Sequence, residues 1–286
     1  LKNEEGGSMN WDPIPGFGVA GNFAGHLEQA GESPDFRNVS VESPNAPKGI
    51  FPFYIPNTSA YSFLGQQPYS NTQLRLSNDK ANHQIEPEVS ILFTVQYSGS
   101  KIQSMKPTIA MAHNDCSIRK AGARKISEKK NWGPHSKGIS STAIPIDSFD
   151  DKGILHQYSL GCYLLRDGVF HKYGQISKVN SYSYFDQQLV DWLVVTLNSQ
   201  KDKGPLEDCS AWLEAAGYPE RILISIGATR YTQFGESTFL TKDDVVFVVL
   251  YPHNRYSDKE IELVLQNDEF DSLTEISVLK QHVVSI

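Results

Sequence analysis

The sequence predicts a β-rich α+β fold made of many short strands and a few helices. Apolar and polar side chains alternate with a period of two from Ile85 to Tyr97, which is the pattern of a half-buried strand. Residues 1–70 are dense in glycine, proline, serine and asparagine, and such segments form loops and short strands. Helical signals are confined to a few stretches, so strands should dominate the fold.

The helices are predicted from apolar stripes and from residues that start or stop a helix. Residues 186–200 carry an apolar stripe at helical spacing, with Asp186 as the N-cap. A second helix is expected at residues 206–216 and a short one at residues 26–30. The remaining regular segments are predicted strands, at residues 141–145, 160–165, 221–227, 244–251, 261–265 and 277–285.

Length and composition indicate one structural unit of ordinary globular type. The 286 residues are enough to bury a large core, with an N-terminal cap at residues 1–70 packed on a larger domain at residues 71–286 that carries the site. The net charge of −7 disfavours nonspecific binding to nucleic acid. No segment approaches the roughly 18 apolar residues that a membrane span needs.

Cysteine usage and the polar opening of the chain predict a location. The three cysteines show no CxxC spacing, which indicates reduced thiols. The opening residues are polar and acidic and lack the features of a signal peptide. We therefore expect a cytoplasmic protein.

Glu86 and Glu88 are the most informative pair of residues. Residues i and i+2 of a strand project from the same face, roughly 7 Å apart, so the two carboxylates can converge on one object. Like charges this close repel unless a cation relieves them. Oxygen ligands of this kind, with Asp115 as a third, suit Mg²⁺, Mn²⁺ or Ca²⁺. The competing interpretation is that the pair is simply the solvated face of a strand.

Four further motifs accompany the glutamate pair in a fixed order. They are GNFAGH at residues 21–26, HNDCSIR at 113–119, NWGPHSKG at 131–138, and the glycine loop with its following turn at 223–246. Together these motifs resemble those of the fumarylacetoacetate hydrolase superfamily, over most of the chain. The resemblance implies a mixed β-sandwich roll with a few peripheral helices, and a homodimer.

The resemblance also implies a set of site residues. Carboxylates that hold a divalent cation in the superfamily correspond to Glu86, Glu88 and Asp115. Catalytic roles fall to His26 and Lys137, with Glu28 as an acid that orients the imidazole. The candidate partners of a substrate carboxylate are Arg119, Lys130, Gly227 and Thr229.

Several positions depart from the superfamily pattern. Gln29 stands where a glutamate is expected, and the nearby acids are Glu28 and Glu32. Lys137 comes one residue later than usual, so Lys130 competes with it for the role of the site lysine. The glycine loop has lost hydroxyl groups that would hold a substrate carboxylate. These differences indicate an outlying subfamily with the metal retained and the substrate altered. The opening segment GFGVAGNFAGHLEQAGE resembles that of a bacterial subfamily.

The basic segment at residues 119–130 leaves three hypotheses open. Six basic side chains surround a single glutamate there. The segment is a solvated loop, or Arg119, Lys130 or Lys137 neutralises a substrate carboxylate beside the metal. A nucleic-acid patch is the third hypothesis, but the segment lacks the interleaved aromatic residues of such surfaces.

The functional hypothesis follows from the expected metal. A divalent ion held by three carboxylates keeps open positions for the oxygens of a 2-oxo acid or a β-dicarbonyl compound. The ion would stabilise an enolate, in C–C bond hydrolysis, decarboxylation, hydration or tautomerisation. The chain is therefore expected to be a metal-dependent hydrolase or lyase acting on a small carboxylate. The alternative is a noncatalytic small-molecule-binding protein on the same scaffold.

Overall fold

The computed structural model describes residues 10–39, 41–58, 63–78, 81–120 and 122–285. The strands are β1 (Gly16–Ala20), β2 (Gly49–Tyr54), β3 (Tyr69–Ser70), β4 (Gln73–Arg75), β5 (Asn82–Gln84), β6 (Pro87–Ser98), β7 (Lys101–Asn114), β8 (Ser117–Arg119), β9 (Lys137–Ile139), β10 (Ile144–Pro145), β11 (Tyr158–Arg166), β12 (Val169–Lys172), β13 (Ser177–Lys178), β14 (Arg221–Ser225), β15 (Val245–Pro252) and β16 (Ser277–Val284). The α-helices are α1 (His26–Gln29), α2 (Asp186–Ser199), α3 (Cys209–Ala215), α4 (Gln233–Ser237) and α5 (Asp258–Gln266). Short 3-10 helices lie at Ser33–Phe36, Ile126–Lys129, Ile154–Gln157, Val179–Ser181 and Phe270–Ser272.

The larger sheet has eight strands and is centred on the long hairpin of β6 and β7. Its order is β2-β1-β14-β6-β7-β9-β3, with β10 paired to β7 beside this path. The hairpin turns at Gly99, whose φ of 60° suits the tight turn between antiparallel strands. Most neighbours are antiparallel, but β1 runs parallel to β14, so the sheet is mixed.

A second, six-stranded sheet packs against the first. Its order is β12-β11-β15-β16-β4, with β13 paired to β11, and β4 runs parallel to β16. The eight residues of β15, VVFVVLYP, are buried on both faces because the main core covers one face and a smaller cluster with α5 covers the other. The β-rich α+β class expected from the sequence is therefore confirmed.

One edge of the larger sheet brings several strand ends together. β6 begins where β7 ends, because the two strands are antiparallel. β14 runs antiparallel to β6 and β1 runs parallel to β14, so β14 and β1 also end at this edge. The side chains that precede β6 and that follow β7, β14 and β1 consequently converge there.

Three predicted helices are present, with shifted bounds. The short helix expected at residues 26–30 is α1 (His26–Gln29). The helix expected at residues 186–200 is confirmed as α2, but Asp186 is its first residue rather than its N-cap, which is Phe185. The helix expected at residues 206–216 begins later, at Cys209, because Asp208 caps it by accepting from the Ala211 amide.

The strand expected at residues 261–265 is wrong. This segment lies in helix α5, which begins with a capping box between Ser257 and Glu260. The alternation of apolar and polar residues there is short, and the cap decides for a helix.

The N-terminal residues contribute directly to the main sheet. β1 and β2 are two of its neighbouring strands, and β1 pairs with β14. The division into a cap at residues 1–70 and a domain at residues 71–286 stays a prediction. Among the described residues, no helix is both long and apolar enough to cross a membrane.

A candidate carboxylate and cation site

Three carboxylates converge at the shared edge of the larger sheet. Glu86 precedes β6, Glu88 lies within it, and Asp115 follows β7. One oxygen from each of these residues lies within 4.8 Å of the others. Their exposed fractions are 3%, 2% and 0%, so the interpretation of the pair as a solvated strand face is wrong.

Backbone pairing fixes this convergence. Pro87 lies opposite Asn114 in the β6–β7 ladder, which places Glu86 beside Asp115. The Asp115 amide donates to the Glu86 carbonyl over 3.0 Å, and the Glu86 amide donates to Asn114 Oδ1 over 3.3 Å. The two carboxylates are thus held by strand geometry and not by flexible loops.

The ammonium group of Lys130 lies between two of these carboxylates. Its Nζ atom is 2.5 Å from Glu86 Oε2 and 2.6 Å from Asp115 Oδ2. The Phe51 ring adds a cation–π contact, with 5.0 Å between Nζ and the ring centroid. Lys130 is buried, and its flanking 3-10 helix, Ile126–Lys129, delivers it into the site.

Two more cationic side chains form ion pairs with the remaining oxygens of Glu86 and Asp115. Lys137 Nζ lies 2.7 Å from Asp115 Oδ1 and donates to the Cys116 carbonyl over 2.6 Å. Arg119 Nη1 lies 2.7 Å from Glu86 Oε1 and 2.9 Å from Glu32 Oε1. Each oxygen of Glu86 and Asp115 therefore has a cationic partner from the chain itself.

Glu88 is held by neutral donors. Its Oε2 atom accepts from the Ser225 hydroxyl over 2.5 Å and from the Gly227 amide over 2.9 Å. Gly227 has a φ of 118°, and a Cβ at this position would lie 3.1 Å from Asn22 Cβ, so glycine suits the loop. Burial, helped by the charge of Asp115, raises the pKa of Glu88 to about 8.

His26 faces the same site from helix α1. Its Nδ1 donates to the Thr229 carbonyl over 2.9 Å, because a carbonyl oxygen can only accept. The other ring nitrogen, Nε2, is hydrogen-bonded to none of the described residues. Burial lowers the pKa of His26, which favours the neutral imidazole with a free lone pair on Nε2.

A small cavity lies between these groups. His26, Glu86, Glu88 and Lys130 line it, and its apolar walls are Leu27, Phe36, Phe51, Ile126 and Ala228. Its volume is about 20 Å³, which is room for only one or two water-sized molecules. A molecule the size of an organic acid does not fit the cavity as it stands.

The acid expected to orient His26 is not the one that approaches it. Glu28 is exposed, and no hydrogen bond joins it to His26, whose Nδ1 is taken by Thr229. Glu32 instead lies close enough to act on His26 electrostatically and is buried against Arg119 and Lys129. The structure favours Glu32, the second of the two acids near the shifted motif position.

Three of the six basic side chains in residues 119–130 turn inward. Lys129 pairs with Glu32 over 2.8 Å and with Asp35 over 3.3 Å, while Arg119 and Lys130 contact the carboxylates. These three side chains are therefore not available as a basic surface. The sequence left a solvated loop as one of three hypotheses, because nothing in a charge run reveals which side chains find buried acids.

The roles of the other predicted residues are also visible. Gly227 supports Glu88, and the Thr229 backbone supports His26, whereas neither residue lines the cavity. Lys137 is fully buried and lines no part of it either. His113, which precedes the ligand candidate Asp115 by two residues, stacks on Phe53 with 5.8 Å between ring centroids.

Sequence reasoning missed two supports of the site. Ser225 donates to Glu88, and Asn22 ties the glycine loop to the segment before α2 through hydrogen bonds to the Ile226 and Tyr184 carbonyls. The asparagine of the GNFAGH motif was a usable signal, because a buried amide needs several partners. Ser225 gave no signal of its own.

Burial and the neighbouring charges shift the pKa values of the clustered side chains in opposite directions. Burial alone would raise the pKa of Glu86, but Lys130 and Arg119 hold it well below the usual range. Burial alone would lower the pKa of Lys130, yet Asp115 and Glu86 raise it above the usual range. Glu86 and Lys130 are therefore both charged at neutral pH.

The donor set agrees in chemical type with a divalent cation. Three carboxylates are the ligands that Mg²⁺, Mn²⁺ or Ca²⁺ prefer. The Lys130 ammonium, however, lies within hydrogen-bonding distance of two of the three ligands. A divalent ion fits among Glu86, Glu88 and Asp115, here called the carboxylate triad, only when the Lys130 side chain moves away.

Comparison with known proteins identifies relatives of the fold. The sequence profile of a family described as "Family of unknown function (DUF5718)" matches residues 32–283. None of the curated proteins compared with the chain matches it.

Solved structures give a consistent match. A 2-keto-3-deoxy-D-arabinonate dehydratase complexed with magnesium and 2,5-dioxopentanoate is 14% identical and has a TM-score of 0.52, covering 96% of this chain and 74% of that chain. A 5-carboxymethyl-2-hydroxymuconate delta-isomerase from Mycobacterium smegmatis is 15% identical with a TM-score of 0.50, covering 95% and 79%. Both are members of the fumarylacetoacetate hydrolase superfamily, so the fold predicted from the five motifs is confirmed.

Proposed function

Because the chain belongs to the DUF5718 family and has the fold of the fumarylacetoacetate hydrolase superfamily, we propose that it is an enzyme that converts a small 2-oxo acid or β-dicarbonyl compound through an enolate. The observation that carries the proposal is the shared cavity of His26 and Lys130. A base and a fixed positive charge face each other there, which is the arrangement that enolate formation needs.

His26 is the proposed base. Its Nδ1–H is committed to the Thr229 carbonyl, so Nε2 carries the lone pair on the cavity side. This nitrogen would take a proton from the carbon next to the substrate carbonyl, or from a water molecule. Glu32, near the ring, would stabilise the imidazolium that results.

The positive charge that meets the enolate oxygen is proposed to come from the cluster of carboxylates and cations. The Lys130 ammonium has three N–H donors, and two of them are used by Glu86 and Asp115. The third is free to donate to a substrate oxygen in the cavity. Lys137 is proposed to hold Asp115 in place instead of touching the substrate, because it does not line the cavity.

A divalent cation is the alternative source of that charge. Glu86, Glu88 and Asp115 would hold it, with Mg²⁺ first and Mn²⁺ or Ca²⁺ as alternatives. Bound there, such an ion supplies Lewis-acid stabilisation of an enolate. The magnesium and the 2,5-dioxopentanoate named for the dehydratase support both the cation and the class of substrate.

The reaction is proposed at the level of the shared enolate. Hydrolysis of a C–C bond, decarboxylation, hydration and tautomerisation all pass through it, so the enzyme class is a hydrolase, lyase or isomerase. We also propose a cytoplasmic homodimer, as the motifs and the reduced cysteines imply. Analytical ultracentrifugation of the purified chain tests the dimer.

Proton exchange tests the proposed chemistry independently of the final product. Pyruvate and acetylpyruvate are incubated with the protein in D₂O, and deuterium at the carbon next to the ketone is followed by NMR. We expect exchange above the buffer rate with the wild type and its loss in His26→Asn. The control is His282→Asn, because His282 is an exposed side chain of β16 that does not line the cavity. Exchange that survives in His26→Asn contradicts the assignment of the base.

A noncatalytic binding protein is the second candidate. It is favoured by the internal neutralisation of the triad, since both oxygens of Glu86 and Asp115 already have cationic partners. This candidate predicts binding of a small carboxylate without any exchange at carbon. The same NMR samples therefore distinguish it from the enzyme.

A further inference from the structure

We propose that the Lys130 ammonium is the resident cation of the carboxylate triad, and that Lys130 and a divalent ion exclude one another from it. The proposal rests on the same site as the proposed function, but it does not depend on the reaction. It assigns Lys130 a role different from the binding of a substrate carboxylate, which the sequence predicted.

The Nζ atom of Lys130 lies where a bound metal ion would lie. It lies 2.5 Å from Glu86 Oε2 and 2.6 Å from Asp115 Oδ2. Hard divalent ions bind carboxylate oxygens at roughly 2.0–2.6 Å. An ion placed among ligand atoms that lie within 4.8 Å of one another would therefore take nearly the same point in space as the ammonium. The two cannot be present together.

Most oxygens of the three carboxylates already have partners within the chain. Arg119 and Lys130 take the two oxygens of Glu86, and Lys137 and Lys130 take those of Asp115. Oε2 of Glu88 accepts from Ser225 and Gly227. Five of the six oxygens thus have an ion-pair or hydrogen-bond partner, although the contacts of Glu86 Oε1 with Arg119 and of Asp115 Oδ1 with Lys137 are ion pairs without hydrogen-bond geometry. Among the described residues, only Oε1 of Glu88 has neither kind of partner.

The positive charge already present around Glu86 and Asp115 also opposes a divalent ion. Three cationic side chains, those of Arg119, Lys130 and Lys137, already surround two buried carboxylates. Adding a divalent ion to this set would place like charges a few ångströms apart in a buried site, where repulsion is strong. Removing Lys130 relieves that repulsion and frees one oxygen of each carboxylate.

Lys130 has the properties of a tethered counterion. Its Nζ atom lies 5.0 Å from the centroid of the Phe51 ring, and its backbone amide donates to the Ser127 carbonyl over 3.0 Å, which ends the 3-10 turn. Lys129, its neighbour, is equally buried but points to Glu32 and Asp35. The two adjacent lysines therefore pair with different groups of acids. Of these two, Lys130 is the one that contacts the triad.

The test is a titration of Mn²⁺ by calorimetry into wild type, Lys130→Met and Lys129→Met. Mn²⁺ should bind the wild type only at millimolar concentration or not at all. Lys130→Met should bind it roughly 100-fold more tightly or better, because the variant leaves two buried carboxylates without their shared cation. Lys129→Met should behave as the wild type, since it removes the same charge one residue away without touching the triad.

Each outcome decides the proposal. Equal, tight Mn²⁺ binding by wild type and Lys130→Met overturns it, and so does the failure of both to bind. A gain in Lys129→Met equal to that in Lys130→Met also overturns it, because the effect would then be one of overall charge.

Folding of the variant provides a second measurement. If Lys130→Met is unfolded in EDTA, its circular dichroism is followed as Mn²⁺ is added, and folding on addition of the ion supports the proposal. Where the variant stays unfolded, the wild type alone decides: binding tighter than about 1 mM contradicts the exclusion. None of these results depends on deuterium exchange, so failure of the enolate chemistry remains separately visible.

Discussion

The imidazole of His26 donates its Nδ1–H to the Thr229 carbonyl over 2.9 Å. This one contact fixes the tautomer, because the backbone oxygen cannot donate. It also joins the GNFAGH motif near the N-terminus to the glycine loop after β14, and so it locks the base above the carboxylates. Nε2 is left as the free nitrogen beside the cavity that Glu86, Glu88 and Lys130 line.

The lowered pKa of His26 predicts the acid limb of the activity profile. Burial lowers the pKa of His26 below its ordinary value of 6.5, so the neutral base persists into mildly acidic solution. The ratio kcat/KM, or the rate of deuterium exchange, should therefore fall only below pH 6.5. A limb centred above that pH would contradict the assignment of His26 as the base.

Glu207 predicts a pH dependence of stability away from the site. Burial raises the pKa of Glu207 from 4.5 to about 7. The folded chain therefore keeps a proton that the unfolded chain loses between these values, and the stability due to this proton is present below pH 4.5 and lost as the pH rises through 7. The free energy of unfolding of the wild type should therefore fall as the pH rises. We expect Glu207→Gln to make this fall smaller by on the order of 1 to 3 kcal/mol.

Urea unfolding at pH 5 and pH 8 checks the prediction for Glu207. Glu214→Gln is the matched control, because Glu214 is exposed on α3. The prediction would be contradicted if the free energy of unfolding of the wild type rose from pH 5 to pH 8 and Glu207→Gln abolished that rise.

Gly227→Ala should destabilise the loop that holds Glu88. Alanine at a φ of 118° is strained, and its Cβ would lie 3.1 Å from Asn22 Cβ. We expect a loss of about 1 to 3 kcal/mol in the free energy of unfolding. Gly99→Ala is the control, since Gly99 also has a positive φ but meets nothing within 4 Å. Equal losses in the two variants would show that the contact with Asn22 does not matter.

Arg119→Met should be among the most destabilising single changes at the site. Arg119 pairs with Glu32 and Glu86, and it donates to Gln84 and to the Tyr231 hydroxyl. Removing it leaves buried carboxylates short of a cation, which costs roughly 3 to 5 kcal/mol.

Chemical denaturation of Arg119→Met and Arg124→Met provides the comparison. The Arg124 side chain is 90% exposed, so its loss should change stability by no more than about 0.5 kcal/mol. A small effect in both variants would mean that Glu32 and Glu86 are neutralised without Arg119.

The strand carboxylates were predictable because their signal is local. A period of two places Glu86 and Glu88 on one face, and the shared motifs add Asp115 and His26. The inward turn of Lys130 was not predictable as an ion-pair geometry, since it depends on acids that lie 15 and 44 residues away in the sequence. Glu32 was named only as a second acid, because the choice between it and Glu28 depends on the path of the chain after α1.

Helix α5 shows how a local signal was misjudged. Ile261, Leu263 and Leu265 alternate along the chain like residues of a strand, although Ser257 and Glu260 form a capping box just before them. The box was readable from the sequence. It outweighed an alternation too short to define a strand.

Lys130 is proposed to hold the cation position among Glu86, Glu88 and Asp115. Crystals of wild type and Lys130→Met grown with millimolar Mn²⁺, with anomalous diffraction measured at the manganese edge, test it most directly. We expect no manganese peak among the three carboxylates of the wild type, with Nζ between Glu86 and Asp115, and a peak at that position in the variant. A manganese peak among the three carboxylates of the wild type, with Lys130 turned away, would contradict it.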